Sequence, residues 1–196
     1  MQARVAADTE TDEGLMLAWQ AGDAAAFDRL YARHRGGVFR YLLRHCGNRA
    51  SAEELHQDVW LRLIAARPRY RATARFATWL YTVARNRLID HWRAAAPQRL
   101  VSLDVEQDDG MVVMQFEDPA VRADPMRNAD SWQQGRRIVD ALQALPGAQR
   151  DAFLLHVEGG LALTEIAALT GAPAETVKSR LRYAYARLRD ALGDLQ

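Results

Sequence analysis

A single cysteine, Cys46, stands in 196 residues, and a single lysine, Lys178, among 26 basic ones. One thiol forms neither an internal disulfide nor a multi-cysteine zinc site, which points to a reducing, cytoplasmic setting. No apolar run approaches the roughly 18 residues of a membrane span. The polar, acidic start, MQARVAADTETDEG, has no apolar stretch of signal-peptide type. Membrane insertion is therefore not expected. The five histidines, His34, His45, His56, His91 and His156, fall in separate helical stretches without HExxH or Cys/His spacing, so no metal site is expected. Phosphate-binding GxxxxGK[ST], a GxGxxG after a strand and a GxSxG elbow are all missing. His45 and Cys46 are adjacent, but neighbours on a helix point about 100° apart and make no ready dyad. Nothing here indicates an enzyme, and no cofactor is implied.

What is present is globular in composition, with 49% hydrophobic and 26% charged residues. Net charge is only +1, yet it is segregated. Residues 14–97 carry 14 arginines against 6 acids, whereas 98–135 carry 3 arginines against 8 acids. Residues 136–196 hold 8 basic and 7 acidic groups, and the first 13 residues hold 1 arginine against 4 acids. Such blocks suggest a basic binding domain and an acidic tether. The preference for arginine over lysine is weaker evidence, because GC-rich coding tends to give an Arg-, Ala- and Leu-rich chain.

Apolar residues recur at i, i+3, i+4 and i+7, and nothing reads as a strand array. The spacing predicts helices near 14–33, 37–46, 51–66 and 76–95, punctuated by Gly36-Gly37, Gly47-Asn48 and Pro68. Ser51 and Glu54 have capping-box spacing. After Pro97, periodicity is lost among scattered acids, Gly110, Pro119 and Pro125, and the short VSLDV and MVVMQF runs read as apolar anchors within a linker. Helices near 134–145, 147–158, 163–170 and 174–192 follow. The expected fold is all-α. A polar tail (1–13) precedes an N-terminal helical domain (14–97), a flexible acidic linker (98–133) and a C-terminal helix-turn-helix domain (134–196).

The sharpest motif is LTEIAALTGAPAETVKSRLRYAYARLR, residues 163–189. Gly171 suits a left-handed helix end, and Pro173 opens the next helix with a pre-set φ. Projection of 174–189 at about 100° per residue gathers Val177, Leu181, Ala184 and Leu188 within an arc of roughly 60°. The opposite face carries Glu175, Ser179, Arg182 and Ala186, flanked by Lys178 and Arg189 on one side and Thr176, Arg180 and Arg187 on the other. Packed on one side and basic elsewhere, such a helix suits a major groove, where Arg and Lys bond guanine edges and Ser and Thr reach edges or phosphates.

At these residues the chain resembles a family. LPGAQRDAFLLHVEGGLALTEIAALTGAPAETVKSRLRYAYARLR (145–189) is similar, without a gap, to the −35-binding domain of extracytoplasmic-function (ECF) sigma factors of the sigma-70 superfamily. Ala162 departs from the pattern, which usually has a capping Ser there, and half of a capping box is lost at a cost of roughly 1 kcal/mol. The resemblance continues, in order, through AGDAAAFDRLYARHRGGVFRYLLRHCGN (21–48), ASAEELHQDVWLRLIAARPRY (50–70) and RFATWLYTVARNRLIDHWR (75–93). It implies a promoter-specificity subunit that binds core RNA polymerase, recognises −35 and −10 elements and initiates transcription.

The residues of the first block agree with that. On the helix near 51–66, Ala52, Leu55, Val59 and Leu63 form one stripe, and Trp60, Leu61 and Ile64 carry apolar character further round, as expected where a second partner binds. Glu54, Gln57, Asp58 and Leu61 share a face, and the resemblance assigns them to docking on the β′ clamp helices of core polymerase. On the helix near 76–95, Phe76, Leu80 and Val83 make a core stripe, with Thr78, Thr82, Arg85, Asn86 and Arg93 on the other side. Ahead of it, ARPRYRATAR (66–75) holds four arginines and a tyrosine with no acid, a composition suited to single-stranded DNA. Trp79 and Trp92 read as core, and Arg87 projects to the apolar side. The resemblance assigns −10 recognition to Arg75, Phe76, Thr78, Arg85, Asn86 and Arg93, with the Thr73–Thr78 loop and Asn86 around a flipped base. It assigns −35 recognition to Glu175, Thr176, Lys178, Ser179, Arg180 and Arg182. Implied partners are promoter DNA, core polymerase through its β′ and β subunits, and an anti-sigma factor, a common partner in this family. The alternative is a free-standing helix-turn-helix regulator, usually a dimer on a palindrome, but no dimerisation zipper is visible.

Overall fold

The computed structural model describes residues 10–95 and 129–193, and among these it contains eight α-helices and no strand. Four helices form the N-terminal group: α1 (Asp12–Gln20), α2 (Ala24–Cys46), α3 (Arg49–Ala66) and α4 (Phe76–Ala95), with a 3₁₀ turn at Arg67–Arg69. Four more form the C-terminal group: α5 (Ala129–Gln143), α6 (Gly147–Val157), α7 (Leu163–Thr170) and α8 (Ala174–Leu192). The first nine residues and 96–128, which include most of the expected acidic linker with its VSLDV and MVVMQF runs, lie outside the described residues.

Local chemistry explains the helix starts. The Thr11 hydroxyl accepts from the Gly14 N–H at 3.1 Å, and Asp12 and Glu13 place negative charge in the first turn of α1. The Asp23 carboxylate caps α2 through the Ala25 N–H at 3.0 Å. The expected helix over 14–33 is thus two helices, parted at Gly22 (φ 117°) and Asp23. The expected break at Gly36-Gly37 is absent, because α2 runs through both glycines. Asn48, not Ser51, caps α3, its side-chain oxygen accepting from the Ser51 N–H at 2.8 Å. The helix predicted over 134–145 starts earlier, at Ala129.

The N-terminal core is built from one stripe of each helix. Leu15 and Met16 of α1, Leu30, Val38, Tyr41 and Leu42 of α2, Val59 and Leu63 of α3, and Phe76, Leu80 and Leu88 of α4 are all buried. An aromatic cluster closes one end: Tyr31 and Trp60 meet edge-to-face at 4.7 Å, and Trp19 lies 4.7 Å from Phe27. Trp60 is therefore core, while Leu61 and Ile64 on the same helix stay exposed. In the C-terminal group Leu154, Leu155, Leu161 and Ile166 pack on Val177, Leu181, Ala184 and Leu188, the arc read from helical periodicity. The buried Arg150 donates to the carbonyls of Gln143 and Leu145, both at 3.1 Å, satisfying the end of α5. The two groups also touch one another: α2 meets α5 and α6, and α4 meets α7.

Candidate nucleic-acid interface

Gly171, at φ 73°, ends α7 in the left-handed conformation, and Pro173 stands immediately before α8. This turn sets α8 with its apolar arc on α6 and α7 and its polar arc outward. Glu175, Lys178 and Arg182 are exposed, and Thr176, Ser179 and Arg180 are half-buried. Lys178 and Glu175 form an exposed pair at 3.5 Å, and the Arg182 guanidinium lies 5.0 Å from the Tyr183 ring centroid. At the start of α7, the Glu165 carboxylate accepts from the Ala162 N–H at 2.8 Å. Ala162 has no oxygen to return the bond, so half the box forms.

The residues expected to meet single-stranded DNA are placed less uniformly. Asn86 and Arg93 are exposed on α4. Phe76 is wholly buried, its ring centroid 5.2 Å from that of His34, and its N–H donates to the Glu13 carboxylate at 2.6 Å. Here it anchors the N-terminal end of α4 and does not face a ligand. Arg85, expected on the outward side of α4, is also buried, because α6 covers it and its Nε donates to Asp151 at 2.8 Å. Arg75 pairs with Glu165 at 2.9 Å, and the Thr78 hydroxyl donates to the same carboxylate. Trp79 and Trp92 are partly buried against the core, as the stripe implied.

Asp151 is the centre of a buried polar cluster. Besides Arg85, it accepts from the Tyr41 hydroxyl at 2.8 Å, and His45 Nε2 lies 3.5 Å away. Burial opposes the charge of Asp151, but hydrogen bonding and charge from His45, together with Arg85, outweigh it and bring its pKa down to about 2. His45 is shifted down, chiefly by burial. Tyr41 is raised well above the usual phenol range by burial and by the neighbouring Asp151. Further along, Glu158 is held by Arg40 and Arg44, and its backbone carbonyl accepts from the Tyr81 hydroxyl at 2.7 Å. Sequence reading missed these acids, because a contact between residues 66 or more positions apart leaves no periodic trace.

The proposed polymerase face is simpler. Glu54, Gln57 and Leu61 are exposed on one side of α3, with Asp58 half-buried beside them and ion-paired to Arg87 of α4. Exposed Leu17 and Ile64 add apolar surface. Among the described residues no helix is long and apolar enough to cross a membrane, and no group of three or more His, Cys, Asp or Glu side chains is placed to hold a metal.

Residues 30–97 match the family model of Sigma-70 region 2, and residues 135–188 match that of Sigma-70 region 4. Over 185 residues the chain is 32% identical to the RNA polymerase sigma factor CarQ of Myxococcus xanthus, covering 92% of this chain and 97% of CarQ. It is 33% identical over 171 residues to the ECF RNA polymerase sigma factor RpoE of Cereibacter sphaeroides, covering 85% and 86% of the two chains. The chain belongs to the ECF sigma factors. Among solved structures, the fold is shared with CnrH in complex with the cytosolic domain of CnrY, at a TM-score of 0.64 and 20% identity over 93% of this chain and 97% of that one. It is shared too with the sigma factor RpoE of Bartonella quintana, solved with the anti-sigma factor NepR, at a TM-score of 0.60 and 21% identity over 85% and 96%. With both matched regions on one chain, in order, this sigma factor is a promoter-specificity subunit of bacterial RNA polymerase and not a free-standing regulator.

Proposed function

We propose that this sigma factor divides its work between the two helical groups. The α7–α8 unit reads the −35 element as duplex through Glu175, Thr176, Lys178, Ser179, Arg180 and Arg182. The α4 helix and the loop before it receive the −10 element as single strand, through Arg75, Asn86 and Arg93, which are exposed, and, once they are accessible, Thr78 and Arg85. The exposed side of α3, with Glu54, Gln57, Asp58 and Leu61, docks on core polymerase at the β′ clamp helices. The observation that carries this reading is α8 itself: Val177, Leu181 and Leu188 are buried while Lys178 and Arg182 on the same helix face solvent, at the geometry a major-groove helix needs. The protein acts in the cytoplasm, without chemistry of its own, and is held in check by an anti-sigma factor; the Bartonella quintana sigma factor that shares its fold was solved in complex with the anti-sigma factor NepR.

Reconstitution tests it. The chain added to core polymerase should give transcripts from a promoter with two separated elements, and neither component should do so alone. A chain that binds duplex palindromes as a dimer and leaves polymerase specificity unchanged would remove the reading.

A further inference from the structure

The segment that leads into α4 is held at both of its ends by one helix, α1. At the near end the Gln20 amide donates to the carbonyl oxygens of Arg67 at 2.9 Å and Tyr70 at 3.3 Å, as the two hydrogens of its NH₂ allow. The Arg67 guanidinium also lies 5.1 Å from the centroid of the Trp19 ring. At the far end the Glu13 carboxylate accepts from the Phe76 N–H at 2.6 Å. That N–H is one of those at the start of α4 that find no partner within the helix. Because α4 has no acid in its first turn, and Arg75 before it carries only side-chain donors, the cap and the negative charge that suit this helix end come from α1.

Glu13 and Gln20 are seven residues apart, about two helical turns, and therefore share a face of α1. The rise between them is about 10 Å, whereas the chain from Tyr70 to Phe76 reaches roughly 20 Å when extended. The slack appears as residues 71–75, every one of them exposed between the buried Tyr70 and the buried Phe76. Within this bow the Thr73 N–H donates to the Arg71 carbonyl at 2.8 Å. Tyr70 packs edge-to-face on Trp79 of α4, with ring centroids 5.6 Å apart, so the near end is tied to α4 as well. The helix that supplies these anchors precedes the stretch matched to Sigma-70 region 2, which begins at residue 30.

We propose that α1 is the frame of the −10 reader, with Glu13 and Gln20 as positioning residues that hold the loop of residues 71–75 in one shape and thereby sharpen its choice of base. The inference rests on the −10 assignment above. A loop with loose ends adapts to any extruded base, and a surface that re-packs around its ligand discriminates weakly. A loop whose ends are fixed has less freedom to lose on binding and presents its threonine and arginine side chains in one register. Glu13 and Gln20 hold the backbone on either side of the loop, so removing them alters selectivity while the side chains placed at the DNA stay unchanged.

The test uses holoenzyme on pre-melted promoters that share one −35 element and carry each of the four bases in turn at every −10 position. Glu13→Ala cuts the far anchor, and Gln20→Glu, which is isosteric, cuts the near one by setting a carboxylate against two carbonyls. Each should flatten the preference at one or more −10 positions by at least about fivefold, with affinity for a −35 duplex and for core polymerase within about twofold of the parent. Glu13→Gln keeps an acceptor for the Phe76 N–H and should restore most of the preference. Where an anchor variant melts below the assay temperature, Ala72→Gly/Ala74→Gly slackens the exposed loop between intact anchors and should flatten the same preference. A preference left sharp by the anchor variants or by the slackened loop, while Asn86→Ala flattens it, would overturn the role of α1 and leave the −10 site standing. Equal loss of −35 binding in the anchor variants would overturn it too, by showing a general loss of fold. A preference that Asn86→Ala also leaves untouched would overturn the −10 assignment itself.

Discussion

The Asp58 carboxylate on α3 is held by the Arg87 guanidinium of α4, and the same acid lies on the helix face shared by Glu54, Gln57 and Leu61. Asp58 therefore serves the fold as well as any partner. Asp58→Arg would set two guanidiniums against each other, forfeiting a half-exposed pair worth about 0.5–1 kcal/mol and adding repulsion. Glu54→Arg and Leu61→Arg, at exposed positions, should leave thermal stability within about 0.5 kcal/mol of the parent and weaken binding to core polymerase at least tenfold. Melting curves beside a competition assay read both quantities. If the two exposed variants bind core polymerase as the parent does, α3 is not the docking helix.

How far a sequence can be read depends on the range of the interaction. Val177, Leu181, Ala184 and Leu188 were legible because burial on one helix repeats with the helical turn. Gly171 and Pro173 were legible because their backbone preferences are intrinsic. Gly36-Gly37 misled for a related reason: glycine signals a break locally, but here Gly37 answers to Glu158 and Tyr81, which approach from elsewhere in the chain. Asn48 outcompeted Ser51 as a cap because either side chain can serve, and the helix starts where the preceding turn leaves an N–H within reach. Periodicity placed Phe76 in the core stripe, where it lies, and only the family resemblance assigned it to DNA; Arg85 was read as outward because periodicity gives the side of α4 it occupies and not what covers it. The C-terminal group covers Arg85, and no pattern in either segment announces that.

The two DNA elements should respond to different substitutions. Arg182 is exposed on α8 and rests on Tyr183, so Arg182→Ala should cost roughly 1–3 kcal/mol on a −35 duplex and relax preference at one position if the guanidinium pairs with a base. Lys178→Ala should weaken binding evenly across sequences and reduce the salt slope by about one charge. Asn86→Ala should leave −35 binding intact and slow promoter opening, a defect that a pre-melted promoter does not rescue if the amide holds an extruded base. Holoenzyme assays on matched duplex and pre-melted templates separate these. Equal losses at one step for Arg182→Ala and Asn86→Ala would collapse the division into a single site.

Cys46 gives a chemical probe of the N-terminal group. Burial pushes its thiol up to about 12, so little thiolate exists at neutral pH. Iodoacetamide at pH 7.5 should label the folded chain at least about a hundredfold more slowly than the chain in denaturant, since thiolate fraction falls tenfold per pKa unit. Fast labelling of the native chain, by mass spectrometry, would mean that the end of α2 frays.

Stability should fall as the solution is acidified below neutrality, with His45 supplying part of the slope. Burial lowers the pKa of His45 from 6.5, so below that value the unfolded chain binds a proton that the folded one resists. Stabilisation is therefore complete above about pH 6.5 and declines as pH falls, by at most about 1.4 kcal/mol per pH unit for one proton. The groups around His45 are Tyr41 on its own helix, Trp92 and Arg85 from α4, and Asp151 and Arg150 from α6. Asp151 adds nothing to this window: depressed to about 2 from 3.8, it stays ionised and loses its contribution only as pH falls through that lower range. His56, lowered by its own burial beside Trp60, contributes with the same sign. Urea midpoints of the parent should thus drop between pH 7.5 and 5.5, less steeply in His45→Gln, and least in a variant that also carries His56→Gln. A parent profile that is flat, or one that His45→Gln leaves equally steep, would show that the fold does not hold His45 below its ordinary value.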